Sequence, residues 1–349
     1  MIHLVESTIV TGQDVGADRT ATALNRQQRA NDILAVVLVA VLGLAPIPLG
    51  SNRPFFWALW AAVLGAAGVG YLLVLLAGRE QLRFSPARLW LPLVLVLSLI
   101  AFLALQVLPL SPVGYAFPTA RGEVVVGSTL SLAPGSTWLV LLQAGTYLLF
   151  FLLMLQVAVN RARARMLAAA LFAIVATHAA YGLVALTTLG DPLLFFPKWA
   201  HEGYATGTFV NRNSFATFLA FGFVLGLALT LREALSGDRS GFLRPDKTMI
   251  YVAGTGLILA ALFATGSRMG LFACFAAAAL VTLMAVHKQP VVRGRLWWLA
   301  AAALPMLAAI AVVVLYGAGT LERLGSLETD AGVRGALYAQ VIGMIAARP

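Results

Sequence analysis

Residues Leu89–Val107 read LWLPLVLVLSLIAFLALQV. Nineteen positions pass without a charge, and Arg79, Arg83 and Arg88 stand just before them. Coiled as an α-helix rising about 1.5 Å per residue, this run matches the roughly 30 Å hydrocarbon core of a bilayer. It is far too long for a buried strand. The rest of the chain repeats the pattern. Of 349 residues, 60% are hydrophobic and 11% charged, with a mean hydropathy of +0.89. A soluble domain is roughly half apolar and about a quarter charged, so a soluble enzyme and a disordered chain are both excluded. The expected fold is all-α, a polytopic bundle of transmembrane helices.

Nine spans follow from the same rule: Ile33–Leu49, Phe55–Ala77, Leu89–Val107, Thr137–Val159, Met166–Leu189, Ser214–Leu231, Met249–Thr265, Gly270–Val286 and Leu296–Tyr316. Clusters such as Gly50-Ser51-Asn52-Arg53-Pro54 and Arg161-Ala162-Arg163-Ala164-Arg165 cannot lie in hydrocarbon and mark the breaks. Residues 1–32 are polar and carry no cleavable leader pattern, which reads as a cytoplasmic tail. Residues 33–316 form the membrane domain, and 317–349 open a large outer loop.

The net charge of +10 divides unevenly across these spans. With the N-terminus inside, sixteen of the 24 Lys and Arg residues fall on cytoplasmic segments and eight outside, and every internal loop alternates accordingly. Most of the basic excess is therefore a topology signal, and no nucleic-acid partner is implied. The spans hold no Asp, Glu, Lys or Arg, which argues against an ion-coupled transporter. His178 is the titratable group at depth, and a backbone carbonyl or the neighbouring Thr177 would satisfy it. The single cysteine, Cys274, excludes a disulfide framework and reads as a packing residue in span eight. His3, His178, His201 and His287 are too scattered for a metal motif.

Cations on the translocated side run against the insertion bias. Three segments carry them. Gly207-Thr208-Phe209-Val210-Asn211-Arg212-Asn213-Ser214 opens span six, and Thr265-Gly266-Ser267-Arg268-Met269-Gly270 joins spans seven and eight. Asp330-Ala331-Gly332-Val333-Arg334-Gly335 lies in the tail. Asn213 and Ser214 can cap a helix, Gly266 can make a turn, and Arg212 and Arg268 can anchor at the headgroups. Around and after Arg334 the positions Val333, Leu337, Val341, Met344 and Ile345 form one apolar stripe of a surface helix. Several arginines at an outer membrane surface suit a diphosphate, because guanidinium groups bind phosphate oxygens bidentately and stay charged. The outer acidic residues form no Asp-x-Asp pair, so an arginine-bound diphosphate is expected, with no metal and no cofactor.

These residues resemble the O-antigen ligase and O-antigen polymerase superfamily of bacterial envelope glycosyltransferases. The resemblance rests on Gly207-x-Phe209-x-Asn211-x-Asn213, on Thr265-Gly266-Ser267-Arg268, and on Arg334 with the helix running to Arg348-Pro349. Leu49-Gly50-Ser51-Asn52-Arg53-Pro54 is a further, less specific match. It covers about residues 30–349. The resemblance implies a multi-pass protein of the bacterial inner membrane that takes a glycan from undecaprenyl diphosphate on the periplasmic face. The glycan passes to an acceptor glycan or glycolipid, by ligation to lipid A core or by polymerisation, with inversion and without a metal. The partners so implied are the carrier-linked glycan, the acceptor and the inner-membrane lipids. Arg268 and Arg334 match the family's two diphosphate arginines, with Asn211, Arg212, Asn213 and Ser267 as substrate contacts. The family's general base is a histidine in the large outer loop, expected beyond Pro349, so the chain reads as C-terminally truncated. A transporter of lipid-linked oligosaccharide, or a degenerate remnant without activity, are the alternatives that share the same membrane body.

Overall fold

The computed structural model describes residues 12–110, 115–118, 124–235, 245–287 and 335–346. They form the helices α1 (Gly12–Leu44), α2 (Pro54–Gly78), α3 (Trp90–Val107), α4 (Pro134–Ala158), α5 (Arg161–Thr187), α6 (Arg212–Leu235), α7 (Pro245–Ala264) and α8 (Arg268–His287). A ninth helix, α9, spans Gly335–Ala346. Among the described residues eight helices are long and apolar enough to cross a membrane, and the chain is an all-α polytopic membrane bundle. Span nine, Leu296–Tyr316, lies outside the described residues.

Seven of the eight spans fall within a few residues of the boundaries read from hydropathy. The first does not. Its apolar segment is Arg26–Leu44, not Ile33–Leu49. Pro46 and Pro48 stop the helix, since proline lacks the amide donor and keeps its predecessor out of the helical region. At its other end α1 continues back to Gly12, so the boundary drawn after residue 32 falls inside a helix. The segment 108–136 also holds an antiparallel hairpin, β1 (Tyr115–Pro118) against β2 (Val124–Gly127), with Tyr115 opposite Gly127 and Pro118 opposite Val124.

The chain divides into two compact units, Met1–Phe215 and Ala216–Pro349. In the first unit α1 is the centre. Its Leu34, Ala35, Leu38 and Val41 meet Leu64, Tyr71 and Leu75 of α2, Leu153 and Val157 of α4, and Leu167 of α5. Side chains such as Leu76, Leu95 and Phe102 point outward and are exposed. Apolar side chains thus lie both inside and on the outer face, as suits a helix whose solvent is lipid. Between α2 and α4, Gly68 leaves only 3.2 Å between a would-be Cβ and Leu149 Cδ1.

One end of this unit is tied by polar groups. Arg163 Nε donates to Asp32 Oδ1 at 2.6 Å. Tyr71 Oη donates to Asn31 Oδ1 at 3.5 Å, and Gln156 bonds both the amide and the carbonyl of Phe84. Asn160 caps α5 by accepting from the amides of Ala162 and Arg163. In the second unit Phe275 of α8 sits between Phe223 of α6 and Phe263 of α7, with ring centroids 6.4 and 6.5 Å away. Ile258, Leu262 and Cys274 are buried around them.

Candidate functional site

The first unit's other end is built on two turns that grip one another. Ser51 organises the α1–α2 turn: its hydroxyl donates to the Ala45 carbonyl at 2.5 Å and accepts from Trp60 Nε1 at 2.8 Å. Its carbonyl accepts from Trp57 Nε1 at 2.7 Å. Gly50 in this turn has φ +64, and a Cβ there would lie 2.5 Å from Phe209 Cδ1. Thr208, buried, donates to the Pro46 carbonyl at 2.6 Å. The Leu49–Pro54 motif and the Gly207–Asn213 motif are thus one packed structure. Asn52 and Arg53 are exposed at its rim, with Arg53 at the N-cap of α2.

The segment between α5 and α6 is equally ordered. Asp191 staples it: one carboxylate oxygen accepts from Lys198 Nζ at 2.5 Å and the other from the Gly203 amide at 2.8 Å. Lys198 Nζ also donates to the Tyr204 carbonyl at 2.6 Å, and its side chain is 4% exposed. Leu193 and Phe196 exchange backbone hydrogen bonds, burying Leu193. Phe215 then closes the structure from below. Its ring lies 2.9 Å from a would-be Cβ on Gly182 and 2.8 Å from one on Gly207, so both positions need glycine for close approach.

On this support stands Arg212, the first residue of α6. Its guanidinium carbon is 4.2 Å from the centroid of Tyr204. Nε and Nη1 are buried and have no hydrogen-bond partner among the described residues. His201 is partly exposed nearby, and its pKa is pushed below 6.5 by burial first, then by the positive charges of Arg212 and Lys198. Asn211 is the true cap of α6: its Oδ1 accepts from the Asn213 amide at 2.8 Å, and its carbonyl accepts from Phe215. The capping expected of Asn213 and Ser214 falls two to three residues too late, because both already lie inside the first turn of the helix.

In the second unit the Thr265–Gly270 turn has the same economy. Thr265 Oγ1 donates to the Leu262 carbonyl at 2.7 Å and accepts from the Ser267 amide at 3.1 Å. Gly266 takes φ +60. Ser267, buried, caps α8 by accepting from the Gly270 amide at 3.3 Å. Gly270 meets Ala216, whose Cβ would stand 2.7 Å from one added there. Arg268, next in sequence, is exposed and makes no hydrogen bond or ion pair among the described residues. Arg334 lies outside the described residues, immediately before α9. In α5, His178 Nδ1 is 2.9 Å from the Ile174 carbonyl, so its own helix satisfies it.

The structure therefore brings Asn211, Arg212 and Asn213 together on one helix turn and Ser267 with Arg268 on another. Among the described residues no three His, Cys, Asp or Glu side chains converge as metal ligands. Sequence reasoning missed the Asp191–Lys198 staple and the Tyr204–Arg212 stack. The signal for the first was present in Gly190-Asp191-Pro192, a turn sequence with a carboxylate in its middle.

No family profile and no solved structure matches the chain. Among curated proteins, the chain is similar to the teichuronic acid biosynthesis protein TuaE of Bacillus subtilis (strain 168), with 24% identity over 206 residues. That match covers 58% of this chain and 39% of the relative's length.

Proposed function

We propose that the chain is a membrane glycosyltransferase of cell-envelope polysaccharide assembly, acting on a lipid-diphosphate-linked glycan at the outer face of the bacterial cytoplasmic membrane. The observation that carries this reading is Arg268. It is the first residue of α8, exposed and unpaired among the described residues. A cation gains nothing from the positive end of a helix dipole, whereas an anion is favoured there. Arg268 and the α8 amides together suit a phosphate. The name of the curated relative, a polysaccharide biosynthesis protein, supports the same class of pathway.

In this reading the acceptor hydroxyl attacks the anomeric carbon from the face opposite the carrier. The new C–O bond forms as the bond to the diphosphate oxygen breaks, and the electron pair leaves with undecaprenyl diphosphate. Arg268 and Arg334 hold the diphosphate and spread its growing charge; an electrostatic contribution of this kind is worth about 3–4 kcal/mol per donor. Ser267 positions Arg268 by starting the helix. The acceptor proton passes to a general base.

The test is glycan transfer from a purified lipid-diphosphate donor by the full-length protein in liposomes. Arg268→Ala should reduce transfer by ~100-fold or more, and Arg268→Lys should recover little of it because lysine lacks the planar fork. Transfer unchanged by Arg268→Ala would overturn the reading. Movement of the donor across the bilayer without glycosidic bond formation would point to a transporter instead.

A further inference from the structure

We propose that Arg212, with Tyr204 as its stacking wall and His201 beside it, forms a second oxyanion subsite within the first unit, one that holds an acidic group of the glycan-bearing lipid. It rests on the preceding reading only for the identity of the substrate. The starting point is an unsatisfied group. Nε and Nη1 of Arg212 are buried without an acceptor, in a protein whose neighbouring polar groups are bonded. Leaving a buried charged donor unmet is costly, and a ligand, an ion or a water is what can meet such a group.

No local carboxylate can serve instead. Both oxygens of Asp191 are already engaged by Lys198 and Gly203, and the Lys198 charge cancels that of Asp191. Glu202 is exposed and forms no ion pair among the described residues. Arg212 is therefore left without an ion-pair partner among the described residues. The support is rigid: the Asp191 staple, the Phe215 wedge and the Gly50–Phe209 contact all fix the segment that carries it. A site set in advance spends less of its binding energy on ordering.

The surroundings suit a sugar that bears the anion. Phe195 is 92% exposed and Trp199 56%, giving flat apolar surfaces on the same segment. His201 stays neutral at ordinary pH, so its ring can both donate to and accept from hydroxyl groups. The planar carboxylate of an acidic sugar matches the guanidinium fork, and a phosphate oxygen pair does so equally.

The experiment measures binding to the full chain in lipid nanodiscs by calorimetry, with two oxyanion probes and one neutral control. The probes are a defined oligogalacturonate and undecaprenyl diphosphate incorporated in the nanodisc; the control is an uncharged oligosaccharide of equal length. At least one oxyanion probe should bind more tightly than the control, and Arg212→Ala should weaken that binding by ~10-fold or more. Loss for oligogalacturonate assigns the anion to the sugar, and loss for the diphosphate alone assigns it to the carrier. Arg212→Lys, which keeps the charge and the aliphatic stem, guards against a folding defect and should still bind several-fold more weakly. Failure of both probes to bind, or affinities unaffected by Arg212→Ala and Arg212→Lys, would overturn the subsite. Loss of transfer in Arg268→Ala would then still leave the proposed function standing.

Discussion

Gly50 and Phe209, 159 positions apart in the chain, are in contact so close that no side chain fits between them. A Cβ on Gly50 would fall 2.5 Å from the Phe209 ring, and the residue's φ of +64 adds strain for any L side chain. Gly50→Ala should therefore destabilise the first unit by about 1–3 kcal/mol. Gly256→Ala, in α7 with open space around it, should be neutral or slightly stabilising. Thermal unfolding of the two variants in one detergent compares them directly. Equal midpoints would mean that the two turns are not locked together.

Asp191→Asn should loosen residues 188–211. Lys198 would be left with a side chain 4% exposed and its anionic partner gone. Breaking a buried pair from one side costs about 3–5 kcal/mol, while removing both members costs much less. Limited proteolysis should cut Asp191→Asn within this segment, and the double variant Asp191→Asn with Lys198→Met should regain resistance. Persistence of resistance in the single variant would show that the staple is not what orders the loop.

His201 makes a pH dependence whose sign is fixed. Its folded pKa lies below 6.5, held down by burial and then by Arg212 and Lys198. Above 6.5 both folded and unfolded chains carry it neutral. As the pH falls, the unfolded chain takes up the proton first, so stability is lost from 6.5 downward until the folded pKa is passed. An unfolding series from pH 7.5 to 5 should slope less in His201→Gln than in the parent. A titration of the ring by NMR should show its midpoint moving up, though not fully back, in Arg212→Gln, because burial is the larger cause.

Ser267→Ala removes the oxygen that accepts from the Gly270 amide. Loss of an N-cap costs about 1 kcal/mol. Ser267→Asp should hold the cap and add a negative charge beside Arg268, so it should restore stability and lower affinity for an anionic donor. Unfolding midpoints and donor affinity, measured on the same preparations, separate the two effects.

The membrane body was legible because hydrocarbon sets a length and forbids charge, and both are local properties of runs such as Leu89–Val107. The end of the first helix was not. Hydropathy counts Ala45–Leu49 as apolar, whereas Pro46 and Pro48 act through the backbone, where hydropathy has no voice. The hairpin of Tyr115–Pro118 and Val124–Gly127 was equally hidden, since pairing joins two short runs and neither one signals it alone. Within the site, the asparagines of Asn211-x-Asn213 were singled out together, but the cap is Asn211. Capping depends on where the helix begins, and α6 begins at Arg212.

The sequence by itself determined the solvent of this protein, the class of its fold and where its arginines stand relative to the apolar runs, because composition and periodicity act at short range. Only the tertiary structure decided what surrounds two of those arginines among the described residues. It showed Arg268 bare at the start of α8 and Arg212 half hidden against Tyr204 with two nitrogens unmet. It also joined the Gly50 turn to Phe209 and spent Asp191 on Lys198. Those outcomes depend on which distant side chains share a volume, and close packing is settled only when the whole chain is in place.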